Sequence, residues 1–106
     1  TIESYKYVSR INDLKKVNAP VRFLSLEPLI SAMPALNLKD IEWVIVGGES
    51  GPGARPIESK WVEDIRDQCQ NQQVPFFFKQ WGGVNKKKNG RLLDNVVWDE
   101  VPIVAI

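Results

Sequence analysis

Ile41-Glu42-Trp43-Val44-Ile45-Val46-Gly47-Gly48-Glu49-Ser50-Gly51 is the stretch on which the fold turns. Ile41 to Val46 is nearly continuous in apolar character and rich in β-branched residues, the pattern of a strand covered on both faces in a parallel sheet. Gly47-Gly48 ends it. Upstream, Val21 to Leu26 reads as a second buried strand stopping at Glu27-Pro28, and residues 29–40, bounded by Pro28 and Pro34, leave room for a crossover with at most a short helix. Further upstream, Tyr7, Val8, Ile11 and Leu14 recur at spacings of three and four, which predicts a helix over 5–17, stopped by Ala19-Pro20. Thr1 to Ser4 reads as the tail of a strand.

Downstream, Val62, Ile65 and Cys69 predict a helix over 60–72, with Ser59 as N-cap and Glu63 and Asp64 near its positive start. Phe76-Phe77-Phe78 is another run without a polar face, ending at Lys79-Gln80-Trp81-Gly82-Gly83. Asn89-Gly90 and Asp94-Asn95 are turn dipeptides, so residues 84–101 are expected to form a small antiparallel hairpin. Strand, helix, strand, crossover, strand, helix, strand is the grammar of an α/β fold. The expectation is a parallel sheet of about four strands with two main helices, half of a (β/α) barrel, plus a C-terminal β-hairpin. Residues 1–83 would form the half-barrel-like unit and 84–106 the appended hairpin of one domain. The chain starts with Thr rather than Met, which suggests a piece of a longer protein.

Composition narrows the chemistry. The 106 residues hold 14 Lys+Arg and 13 Asp+Glu, no His and one Cys. No internal disulfide, Cys/His zinc set or Ser-His-Asp triad can be built from them. A net charge of +1 supplies no global field for nucleic acid or anionic lipid. Neither a bilayer-length apolar run nor a signal peptide is present, so the expectation is a cytoplasmic protein without a membrane partner.

In parallel α/β folds ligands bind at the carboxyl ends of the strands. Those ends carry Glu3, Glu27, Gly48-Glu49-Ser50 and Lys79-Gln80. Three carboxylates and a lysine on one rim suit a cation, an ammonium group or a sugar hydroxyl, although strands of this kind also end in charge because the chain surfaces there. The loop from Gly47 to Pro56 fits neither G-x-G-x-x-G nor G-x-x-x-x-G-K-[ST]. Its glycines can bring backbone N–H groups to an anion or serve the turn alone, and Arg55 can clamp an anion or pin the loop. Lys86-Lys87-Lys88 with Arg91 and Trp81 is a candidate surface for single-stranded nucleic acid, or a solvated hairpin tip. Cys69 lies on the apolar stripe of its helix and reads as a structural thiol.

Arg22-Phe23-Leu24-Ser25-Leu26-Glu27-Pro28-Leu29, Trp43 to Gly51 with Ala54-Arg55-Pro56, and Phe77-Phe78-Lys79-Gln80-Trp81-Gly82 together resemble the C-terminal half of the phage Gp-thirty-seven/Gp-sixty-eight family. Residues 91–102 resemble that family's ending, with Asn95 where glycine is expected. The resemblance implies a phage or prophage protein of unknown activity whose N-terminal half carries a cysteine motif similar to that of radical S-adenosylmethionine enzymes. It also implies that Gly47-Gly48-Glu49 is similar to the element that holds the ammonium of that cofactor's methionine. No cofactor is expected in this chain; S-adenosylmethionine and an iron–sulfur cluster would belong to a full-length protein. The expected partners are the missing N-terminal half and a small-molecule ligand. For the isolated chain, an unpaired apolar sheet edge predicts self-association.

Overall fold

In the computed structural model of the chain, residues 22–83 and 90–102 are described. The expected strand tail at 1–4 and the helix at 5–17 lie outside them. What is described is a mixed α/β arrangement: strands β1 (Phe23–Leu26), β2 (Trp43–Val46) and β3 (Phe76–Phe78), helix α1 (Ser59–Asn71), and a short pair β4 (Leu92–Leu93) and β5 (Val96–Val97). β1, β2 and β3 form one parallel sheet in that order. Among the described residues the sheet has three strands and the layer one helix; the other strand and helix of the expected four and two fall on residues outside them.

Register and alternation set the core. Leu24, Val44 and Phe76 align across the sheet, as do Leu26, Val46 and Phe78, and all six are buried. Together with Val62, Ile65 and Cys69 of α1 they form one apolar cluster, each large side chain contributing roughly 1.5–3 kcal/mol of transfer free energy. The opposite face departs from the expectation of full cover. Phe23 is 50 % exposed, and Trp43, Ile45 and Phe77 are only partly buried.

The connection from β1 to β2 contains no helix, yet Leu29, Met33, Leu36, Leu38 and Ile41 are all buried in the cluster. An irregular segment can be buried only if its backbone polar groups find partners. Two glutamines one turn apart, Gln68 in α1 and Gln72 at its C-cap, supply them. Gln68 accepts from the Leu36 N–H (2.6 Å) and donates to the Met33 carbonyl (2.6 Å). Gln72 accepts from the Leu38 N–H and donates to the Leu36 carbonyl, both at 2.9 Å. The helix thus offers the loop a substitute for a neighbouring strand.

α1 starts one residue earlier than expected. Ser59 is helical rather than the N-cap, a position held by Glu58 in extended conformation without a side-chain cap, and no acidic residue lies in the first turn. Asp94 and Asn95, both with positive φ (51° and 62°), form the two-residue turn between β4 and β5. Beyond it the chain returns to β3, where the Phe78 N–H donates to the Trp98 carbonyl and the Glu100 N–H to the Phe76 carbonyl. The expected bare edge on this side of the sheet is therefore covered by residues 98–100. Leu93 is buried, Trp98 meets Phe76 edge-on at 6.0 Å, and Arg66 of α1 lies over the Trp98 ring while pairing with Asp94.

Candidate functional site at the carboxyl ends of the strands

Pairing between β2 and β3 does not stop where the strands end. Gly48 donates to the Gln80 carbonyl, the Gln80 amide returns a bond to the Gly48 carbonyl, Gly83 donates to Glu49, and Gly51 donates to Gly83. This close approach explains the glycines. A Cβ at Gly48 would stand 1.9 Å from the Trp81 carbonyl oxygen, and one at Gly82 (φ +73°) 2.4 Å from that of Glu49. The N–H groups of Gly47, Gly48 and Gly51 are spent on protein carbonyls. They serve the loop pairing and offer no anion cradle.

Extending the register by one residue places Glu27, Gly47 and Lys79 side by side, on the half-open face of the sheet. Lys79 Nζ bonds Glu27 Oε2 at 3.2 Å, and the Ser25 hydroxyl stands 3.5 Å from Oε1. The ion pair spans from β1 to β3 across the central strand, where glycine leaves room for it: a Cβ at Gly47 would lie a tight 3.3 Å from Glu27 Oε2 and 3.2 Å from Gln80 Nε2. Both ends remain in contact with solvent, with side-chain exposures of 56 % for Lys79 and 26 % for Glu27.

Glu49 behaves differently. Arg55 grips it with two parallel bonds, Nε to Oε1 at 3.0 Å and Nη2 to Oε2 at 2.8 Å, and the Arg55 N–H adds a third at 3.0 Å. These bonds hold its carboxyl down at about 2. Glu49 and Arg55 close their own loop rather than face the rim. An open hollow of about 380 Å³ lies beside them, walled by Ala54, Pro56, Ile57 and Trp81.

Of the residues singled out from the sequence, Glu27, Gly47, Lys79 and Gln80 come together, and Gly48 joins them through the Gln80 amide. Ser50 is exposed and bridges Gly83. Glu3, Lys86, Lys87 and Lys88 lie outside the described residues. Trp81 packs edge-on against Phe78 at 4.7 Å and its indole N–H donates to the Leu92 carbonyl, so it is a half-buried wall of the hollow beside Arg55. Arg91 donates from Nη2 to the Phe78 carbonyl and lies over the Phe77 ring at 5.2 Å. Ser25 was missed, although its position two residues before Glu27 puts it on the same face of β1. Burial pushes the Cys69 thiol up to about 12, so it is unreactive packing. No cluster of three potential metal ligands occurs among the described residues, and no helix among them is long and apolar enough to cross a membrane.

The fold and this rim define an α/β protein with a charged pair mounted at the carboxyl end of a parallel sheet. The chain belongs to a family of proteins of unknown function, DUF5131, whose model matches residues 1–102. No curated protein and no solved structure matches it.

Proposed function

We propose that the carboxyl ends of β1, β2 and β3 bind a small polar molecule, with Glu27 as acceptor, Lys79 as donor, and Ser25 and Gln80 beside them. The observation that carries this reading is the ion pair bridging the two outer strands above Gly47. A half-exposed pair of this kind contributes little to stability, about 0–1 kcal/mol. Its place at the ligand-binding end of a parallel sheet, with both charges reachable from solvent, argues for a binding role.

The likeness to the phage family supports a finer version: the C-terminal, ligand-facing half of a (β/α) barrel enzyme in the cytoplasm, completed by an N-terminal half of the same protein. Sequential order of three parallel strands is compatible with such a barrel. The ammonium-holding role implied for Gly47-Gly48-Glu49 does not fit the residues as arranged, because Glu49 has both oxygens on Arg55 and the carbonyls of Gly47 and Gly48 already accept from the Leu29 N–H and the Gln80 amide. Among the described carboxylates singled out at the rim, Glu27 is the one left for a ligand.

The test is an NMR titration of the isotope-labelled protein with a panel of amino acids, small polyols and S-adenosylmethionine. A binding member should shift amides in 25–29, 47–49 and 79–80, and the shifts should vanish in Glu27→Gln and Lys79→Met while the unfolding midpoint stays nearly constant. No binding member, shifts that survive both substitutions, or a large loss of stability would overturn the proposal.

A further inference from the structure

The open face of the sheet carries a second set of groups that the rim reading does not use. Phe23 and Trp43 meet with ring centroids 6.1 Å apart, Trp43 and Phe77 meet edge-on at 6.1 Å, and the Arg91 guanidinium covers Phe77 at 5.2 Å. Arg91 forms no ion pair among the described residues. Among the described residues its Nη2 meets the Phe78 carbonyl, at 3.3 Å, and its Nε is buried without an acceptor. A guanidinium fixed on an aromatic surface without a counter-ion is half of a binding arrangement for a planar anionic group. Lys79 follows Phe77 by two residues and so stands on the same face of β3, while Asp99, bridged to Phe77 across the edge of that strand, joins Glu27 as the second carboxylate of the face, so that the two cations are balanced in number and Arg91 is the one of them without an ion pair among the described residues.

The size of the face discriminates between occupants. Neighbouring strands are about 4.8 Å apart, so β1 to β3 spans roughly 10 Å. With strands of three or four residues, roughly 13 Å long, the face accepts one ring system with its sugar, and its area of roughly 130 Å² falls well short of the roughly 800 Å² per partner of a standard protein interface. We infer that the Phe23–Trp43–Phe77 face, flanked by Arg91 and Lys79, binds a nucleoside phosphate: the base on the aromatic side chains and the phosphate between the two cations. The same chemistry is met in a free nucleotide or in a single-stranded nucleic acid. This inference goes beyond the rim reading, sharing only Lys79 with it.

Adenosine monophosphate, inorganic phosphate and a short single-stranded oligonucleotide are the probes, titrated into the protein with tryptophan fluorescence and amide shifts as readouts. The nucleotide should bind more tightly than inorganic phosphate and shift residues 23, 43, 77 and 91. Arg91→Gln should weaken it about tenfold or more, the loss of a charge-assisted partner, and Arg91→Lys should fall between. Phe23→Ser, at a half-exposed position, gives an independent loss if Arg91→Gln does not fold. Equal affinity per nucleotide for the monophosphate and the oligonucleotide identifies a free nucleotide as the source, and a preference for the oligonucleotide identifies a strand. Nucleotide binding no tighter than phosphate, or unchanged in Arg91→Gln and Phe23→Ser, overturns the inference. Glu27→Gln separates the two readings, since it removes rim binding and, by freeing Lys79, tightens nucleotide binding.

Discussion

Gln68→Met is the sharpest probe of how the fold holds its irregular crossover. The substitution preserves side-chain length and helix propensity, so its effect reports the two bonds of the amide. It leaves the Leu36 N–H and the Met33 carbonyl without partners, in a segment whose Leu36 and Met33 side chains are 5 % and 0 % exposed. Each net hydrogen bond is worth about 1 kcal/mol, more where a buried donor is orphaned. Because water still reaches part of the site, the expected loss is about 2 kcal/mol, which for a chain of this size corresponds to a fall in melting temperature of about 10 °C. Urea and thermal denaturation followed by circular dichroism give the magnitude, and hydrogen exchange at Leu36 and Leu38 gives the location. Gln72→Met should cost less, since Gln72 is exposed. The double variant should be non-additive, because Leu36 is bonded by both glutamines. A Gln68→Met protein within about 0.5 kcal/mol of the parent, with unchanged protection at Leu36, would refute the clamp.

Two other outcomes follow from the rim loops. The Glu49 carboxyl, held at about 2 against an ordinary 4.5, contributes to stability above its unfolded value, and that contribution fades as pH falls from about 4.5 toward 2; carbon NMR should place its midpoint near 2, and Arg55→Gln should return it to the ordinary range. Gly48→Ala should destabilise by several kcal/mol, on the order of a severe core substitution, because its Cβ collides with a backbone carbonyl. Gly51→Ala, with open space around it, should cost only its positive φ (+91°), about 1–2 kcal/mol, so thermal melts of the two variants should differ clearly.

Much of the frame was legible along the chain because strand and helix periods are local. Phe23 to Leu26, Trp43 to Val46 and Phe76 to Phe78 show themselves by composition and by the Pro, Gly and polar residues that bound them, and Val62, Ile65 and Cys69 by helical spacing. The Asp94-Asn95 turn is written in two residues that tolerate positive φ. Once the strands are parallel, Glu27, Gly47 and Lys79 must fall at one end, since each directly follows an apolar run. What those residues do there was not legible. Glu27 and Lys79 are 52 positions apart, and their meeting depends on register, with the missing Cβ of Gly47 leaving room between them. Glu49 looked equivalent to Glu27 in the sequence, yet the loop turns it onto Arg55. Nothing local to Gln68 and Gln72 announces their role, because the backbone groups they bond lie more than 30 positions upstream. Residues 98–100 became the cover of β3 only through the returning hairpin. Local periodicity fixes where the chain is extended or helical; the partner of each polar group is set by which segments the buried apolar rows bring together, and that is a property of the whole packed chain.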